Sequence, residues 1–160
     1  MANNTTDIRS TLNDLIETLK DGEQGFREAA GHLRSEALRT QFLSYAQQRA
    51  RFAAELQREV ATIGGVPETS GSAAGVLHRG WIGLKSMLTS GDDHSVLAEA
   101  EKGEDSAVKN YREALAKDLP RDIHDVIENQ YKDILAVHNQ VRALRDGTAV
   151  STGGRVGQPY

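Results

Sequence analysis

The sequence predicts an all-α protein, a bundle of four long helices arranged as two antiparallel hairpins. Apolar residues recur at spacings of three and four along most of the chain, which is the spacing of one helix face. Aromatic residues make up only 5% of the 160 residues, whereas β-strands favour aromatic and β-branched side chains. Hydrophobic residues make up 38% of the chain, which suits helices packed through leucine, isoleucine, valine and alanine.

The first hairpin is predicted to contain helices over residues 5–33 and 35–63. Thr5 or Thr6 can cap the first helix, and the glycines at 64–65 end the second. So short a turn makes the two helices antiparallel neighbours. The inward face of the first helix is formed by Leu12, Ile16, Leu19, Phe26, Ala30 and Leu33. That of the second is formed by Leu38, Phe42, Tyr45, Phe52, Leu56, Val60 and Ile63.

The second hairpin is predicted to contain helices over residues 94–117 and 121–145. Pro120 separates them, because proline cannot continue the hydrogen-bond ladder of a helix. Gly147 is expected to close the last helix. The inward face of the third helix is formed by Val96, Leu97, Val108, Tyr111 and Leu115. That of the fourth is formed by Ile123, Ile127, Ile134, Val137, Val141 and Leu144.

A long connection over residues 64–92 joins the two hairpins and is predicted to contain a short helix at 72–89. A bundle whose helices simply alternate in direction needs no such connection, whereas the ferritin-like layout has one long crossover. The predicted fold class is therefore a ferritin-like four-helix bundle over residues 1–147. The Gly/Ser/Thr-rich tail at 148–160 should be flexible.

Composition excludes several classes of function. The formal net charge is −4 and no basic block is present, so nucleic acid is not an expected partner. The chain has no cysteine, which removes disulfides, thiolate metal sites and cysteine nucleophiles. No stretch approaches the roughly 20 apolar residues of a membrane span. The polar N-terminus lacks the apolar core of a signal peptide, so we expect a cytoplasmic protein.

Polar residues occupy a few positions on the inward faces. Glu23 and Glu104 each follow a glycine and fall at equivalent positions of the first and third helices. Gln48 and Gln130 lie at a nearly identical separation on the second and fourth helices, which indicates a weak internal repeat of one hairpin. A buried carboxylate is costly unless it is paired or bound to a metal.

Two interpretations satisfy that requirement. In the first, the polar residues form a buried layer that fixes helix register. Its members are Glu23, Gln48, Arg49, Glu104 and Gln130. In the second, Glu23 and Glu104 face each other as ligands of a two-metal site for iron or another divalent ion. The Glu-x-x-His motifs of di-iron bundles are absent, because Gln48 and Gln130 stand where the motif has glutamate.

The predicted crossover helix contains His78, Arg79 and Trp81, with Gly80 between them. These residues form a possible contact site for an anion or a partner. The simpler interpretation is that Trp81 anchors the crossover on the bundle, because neighbouring glycines permit close approach of the backbone.

A set of segments is distinctive: residues 15–23, 25–27 and 71–72, His-Arg-Gly-Trp at 78–81, Gly-Glu-Asp at 103–105, Tyr111 and Leu-Pro at 119–120. In these segments the chain resembles a bacterial domain-of-unknown-function family of ferritin-like four-helix-bundle proteins. The resemblance covers about residues 5–146 and implies the ferritin-like fold, but no established activity. We therefore predict a non-enzymatic, stress- or envelope-associated bacterial protein that acts through protein–protein contacts or self-assembly. The alternative is a degenerate di-metal carboxylate protein.

Overall fold

A computed structural model of the chain describes residues 2–69 and 92–153, and these ranges contain four helices and no strand. The helices are α1 (Ala2–His32), α2 (Glu36–Thr62), α3 (Asp93–Leu115) and α4 (Arg121–Gly153). The all-α, four-helix prediction is confirmed. The predicted helix at 72–89 and the contact site at His78, Arg79 and Trp81 lie outside the described residues.

The predicted end of the fourth helix is wrong. α4 continues through Gly147 to Gly153, so residues 148–153 of the predicted tail are helical. Gly64 is the one described glycine with positive φ, at 82°, so Gly147 does not adopt the left-handed conformation that ends helices. A glycine in an ordinary helical conformation costs only about 1 kcal/mol relative to alanine, and the helix tolerates it. α1 also begins earlier than predicted, at Ala2.

Capping hydrogen bonds define both ends of α2 and the start of α3. Ser35 caps α2 by accepting a hydrogen bond from the Leu38 amide at 3.2 Å, and Asp92 caps α3 in the same way. At the end of α2, the Gly65 amide donates to the Val60 carbonyl oxygen at 2.9 Å. With Gly64 in the left-handed region, this is the Schellman arrangement that stops a helix.

The ends of the helices define the topology. The Asp93 carboxylate accepts hydrogen bonds from the backbone amides of Arg34 and Ser35, at 2.7 and 3.1 Å, so α3 starts beside the α1–α2 turn. At the opposite end, Arg9 near the start of α1 donates to the carbonyl of Ile63, just after α2. The chain between α2 and α3 therefore joins opposite ends of the bundle. This is the long crossover of the ferritin-like layout.

The apolar core consists of two clusters, one in each half of the bundle. The first includes Leu12, Leu15, Ile16, Leu19, Leu56, Val60, Tyr111, Ile123 and Ile127. The second includes Phe26, Phe42, Tyr45, Val96, Leu97, Val137 and Val141. Arg49 on α2 and Glu104 on α3 lie in sequence between members of the two clusters on their helices, so charged residues separate the apolar halves. Within the described ranges, no helix is long and apolar enough to cross a membrane.

Candidate functional site

A buried ion pair lies at the centre of the bundle. Nη2 of Arg49 donates to Oε1 of Glu104 at 2.5 Å, and each side chain is only 1% exposed. The Arg49 guanidinium also lies 5.4 Å from the ring centroid of Phe26, within the range of a cation–π contact. Burial raises the pKa of the Glu104 carboxyl, and Arg49 offsets part of that rise.

Little space remains around this pair. A cavity of about 10 Å³ is enclosed by parts of α1, α2 and α3. Its lining consists of Thr18, Leu19, Gly22, Arg49, Gly103, Glu104 and Ala107. Nε and Nη1 of Arg49 are buried and make no hydrogen bond within the protein. The cavity is large enough for about one water molecule, and far too small for an organic substrate.

Glu23 does not occupy the core position predicted for it. Its side chain is 18% exposed and pairs with Lys20 and Arg27 of the same helix, at 3.4 and 3.0 Å. Gly22 faces Arg49 instead, since a Cβ added there would lie 3.6 Å from Cγ of Arg49. Positions 22 and 23 both fit the helical spacing between the neighbouring apolar residues. The sequence analysis chose position 23 because it carries a side chain. The structure instead directs position 22 inward, and Glu23 is not part of the buried layer.

Gln130 belongs to a second buried network, together with Tyr111. The Tyr111 hydroxyl donates to Oε1 of Gln130 at 2.7 Å, and Nε2 of Gln130 donates to Oε1 of Glu55 at 2.6 Å and to the Phe52 carbonyl at 3.2 Å. Burial raises the pKa of the Tyr111 hydroxyl. Sequence reasoning placed Tyr111 among the apolar residues. The signal for its role was the phenol itself, because a buried hydroxyl needs a partner.

Gln48 forms no hydrogen bond with either network. It is half-buried, and its Oε1 atom makes no hydrogen bond. Of the five residues predicted for the polar layer, the structure brings Arg49 and Glu104 together as a pair and links Gln130 to Tyr111.

A second group of polar residues lies on the outer side of the α3–α4 hairpin. Glu101 and Asp105 of α3 and His138 of α4 place one ligand atom each within 4.8 Å of one another. Nε2 of His138 lies 2.5 Å from Oδ1 of Asp105. The Glu101 carboxylate accepts a hydrogen bond from the Arg145 guanidinium in an ion pair. We call Glu101, Asp105 and His138 the α3–α4 cluster.

Sequence reasoning did not find the α3–α4 cluster. The spacing of Glu101 and Asp105, four residues apart, was a signal that both carboxylates share one helix face. The pairing with His138 depends on the register between two helices, which periodicity along one helix cannot supply. A further group, His124, Asp125 and Glu128, lies within one stretch of α4.

Comparisons with known proteins agree with this architecture. The sequence profile of a family described as Domain of unknown function (DUF2383) matches residues 7–117. Among solved structures, a mutant of Dps1 from Mycobacterium smegmatis is similar, with a TM-score of 0.75 and 13% sequence identity. The match covers 91% of this chain and 99% of the Dps1 chain. No curated protein sequence matches the chain. At this identity the likeness to Dps1 concerns the fold alone.

Proposed function

The chain belongs to the DUF2383 family, and we propose that it is a non-enzymatic helical bundle that acts by associating with copies of itself. The observation that carries this proposal is the closed centre of the bundle. Arg49 and Glu104 neutralise each other where a ferritin-like bundle holds its ligand-binding side chains. The cavity beside them is about 10 Å³, whereas pockets for small molecules usually measure roughly 300–1,000 Å³.

The outer surface offers room for contacts that the interior lacks. Two adjoining cavities, of about 200 and 430 Å³, form a groove between the first half of α1 and the end of α3. Thr11 and Lys117 line both cavities. We call this surface the α1–α3 groove. Its other lining residues are Asn4, Asp7, Ile8, Ser10, Asp14, Leu15, Thr18, Asn110, Glu113, Ala114, Asp118 and Leu119.

The α1–α3 groove contains one lysine and four carboxylates, so the lysine must supply the favourable charge pairs between two identical surfaces. In a two-fold symmetric dimer, each residue of a patch meets a different residue of the same patch on the other copy. Lys117 of one copy can then face Asp7 or Asp14 of the second, and the opposite pairing repeats by symmetry. Within one copy, Nζ of Lys117 already reaches Oγ1 of Thr11 at 3.2 Å, so the ammonium group lies over the groove.

Light scattering coupled to size-exclusion chromatography tests this proposal. We expect the unmodified protein to form a dimer or larger assembly at micromolar concentration. Ser10→Glu should weaken association roughly tenfold or more, because it adds a carboxylate to a contact that already holds four in each copy. Ser44→Glu is the matched control, because Ser44 is an exposed serine on the outer face of α2. A monomer at every concentration, or equal effects of both variants, would contradict the proposal.

The competing interpretation is iron or another divalent metal bound by Glu23 and Glu104. The described residues offer it no support at this position, because Glu23 pairs with Lys20 and Arg27 on the surface of α1 and does not line the cavity beside Glu104. Titration with Fe²⁺ of the unmodified protein and of the Glu23→Ala/Glu104→Ala variant separates the two. Stoichiometric binding that this variant loses would favour the metal interpretation over ours.

A further inference from the structure

The α3–α4 cluster brings two kinds of metal-binding side chain together from two helices. Glu101 and Asp105 lie one turn apart on α3, and His138 faces them from the antiparallel α4. The three ligand atoms lie within 4.8 Å of one another. An ion such as Zn²⁺ holds nitrogen and oxygen ligands at about 2.0–2.2 Å. The Asp105 side chain is 61% exposed, so it is free to turn towards such an ion.

The ring of His138 is held in place beside Asp105. Its side chain is only 12% exposed, so packing holds the imidazole in place. Nε2 lies 2.5 Å from Oδ1 of Asp105, and Nδ1 lies 3.3 Å from Oδ1 of Asn139. A neutral imidazole carries one N–H and can donate to only one of these oxygens. The tautomer with its proton on Nε2 donates to Asp105, whereas the other tautomer leaves the Nε2 lone pair free to bind a metal once the Asp105 side chain turns aside to make room.

The arginines around Glu101 do not prevent its carboxylate from binding a metal. Arg145 donates to Oε1 of Glu101, and Nε of Arg142 lies 3.5 Å from Oε2. Each carboxylate oxygen has two lone pairs, so an oxygen that accepts from arginine can still bind a metal. Hydrogen bonds to a ligating carboxylate are usual in metal sites, because they orient the ligand. The two guanidinium groups also offset the charge of the two carboxylates, which weakens the attraction of the cluster for a cation.

The cluster is open to solvent on one side. A groove of about 450 Å³ runs along the outer face of the α3–α4 hairpin, and its lining includes Asp105, His138, Asn139 and Arg142. An ion can therefore enter without any rearrangement of the bundle, and water can complete its coordination.

We propose that Glu101, Asp105 and His138 bind one divalent transition-metal ion per chain. An imidazole with two carboxylates suits Zn²⁺, Fe²⁺, Co²⁺ and Mn²⁺, whereas Ca²⁺ and Mg²⁺ prefer oxygen ligands alone. Zn²⁺ should bind more tightly than Fe²⁺ or Mn²⁺ in the general order of stability of such complexes. The site is separate from the central pair and from the α1–α3 groove, so it does not depend on the proposed self-association.

Calorimetric titration with Zn²⁺, and the visible absorption of bound Co²⁺, test this site on the full chain free of affinity tags. We expect one ion per chain in the unmodified protein. His138→Gln and Asp105→Asn should each weaken binding by roughly tenfold or more, since each removes a ligand. Acidification should also weaken binding, because a proton and the metal compete for Nε2 of His138.

His124→Gln is the matched control, because His124 belongs to the other group of histidine and carboxylates, within α4. It should leave the affinity of the strongest site unchanged. Circular dichroism of each variant shows that the bundle remains helical, so a loss of binding cannot come from unfolding. The proposal is overturned if the unmodified protein binds no stoichiometric ion. It is equally overturned if His124→Gln weakens binding as much as His138→Gln does.

Discussion

Two polar sites on neighbouring positions of α3 contain similar residues but occupy opposite environments. Glu104 faces the centre of the bundle, is 1% exposed, and is paired with a single guanidinium from α2. Asp105 follows it in sequence, is 61% exposed, and contacts the imidazole of His138. Successive residues of a helix differ in direction by about 100°, so adjacent carboxylates reach different surroundings.

The two sites differ in whether the carboxylate can exchange its binding partner for another. Glu104 cannot release Arg49 without leaving a charge in an apolar interior, and that cost is several kcal/mol. Asp105 can exchange its partner for water, a proton or a metal, because solvent replaces whatever is lost. The same functional group is therefore structural at the centre and available for binding on the outside.

Breaking the central pair should have the largest effect on stability. Glu104→Leu or Arg49→Met leaves the remaining partner buried without a counter-charge. Each substitution should lower the free energy of unfolding by about 3–5 kcal/mol. Urea denaturation followed by circular dichroism measures this. A loss below about 1 kcal/mol for both variants would show that the pair is not buried as described.

Breaking the neighbouring network should have a smaller effect. Tyr111→Phe removes the hydroxyl that donates to Gln130 and leaves a buried amide oxygen without its partner. We expect a loss of about 1–3 kcal/mol. Tyr131→Phe is the matched control, since the Tyr131 hydroxyl accepts a hydrogen bond from Arg112 at the surface. Tyr131→Phe should lower the free energy of unfolding by no more than about 0.5 kcal/mol. Equal decreases for the two variants would contradict the distinction between interior and surface.

The pH dependence of stability should distinguish Glu104 from surface carboxylates. Burial raises the pKa of Glu104 above its ordinary value of 4.5, so the folded protein binds this proton more tightly than the unfolded chain. The stability that this group contributes is fully present below about pH 4.5 and is lost as the pH rises through the raised folded value.

Denaturation of the unmodified protein and of Glu104→Gln over a pH series measures this contribution. The stability difference, unmodified minus variant, should fall as the pH rises across that window. A difference that rises with pH would mean that Arg49 lowers the pKa of Glu104 by more than burial raises it.

Breaking the outer site should have the smallest effect on stability. Asp105→Asn removes one exposed charge, and such surface pairs are typically worth less than about 1 kcal/mol. The measurement is denaturation in the presence of a chelator, which separates the ion pair from any stabilisation by bound metal. A loss comparable to that of Glu104→Leu would mean that the two sites do not differ as we describe.

The sequence predicted the fold better than the sites, for a physical reason. Helix periodicity, caps and the long connection after Gly64 depend on local spacing, and they were sufficient for the four-helix layout. The inward positions of Arg49 and Glu104 also followed from that spacing. Spacing could not decide between Gly22 and Glu23, because both positions fit the period and glycine has no side chain to signal burial.

The remaining features depend on contacts between helices. The partner of Tyr111 and the meeting of Asp105 with His138 require the register of α3 against α4, which neither helix encodes alone. The end of α4 was missed for a different reason. A glycine ends a helix only in the left-handed conformation, and composition cannot show whether Gly147 adopts it.

We infer that Arg49 and Glu104 stabilise the bundle as a pair and bind no ligand. The most direct measurement is a double-mutant cycle with Arg49→Met, Glu104→Leu and the double variant, each followed by urea denaturation. We predict that the double variant recovers most of the stability that either single variant loses, because apolar side chains of similar size can replace a buried pair. A double variant less stable than both single variants would contradict this account and assign the two residues separate roles.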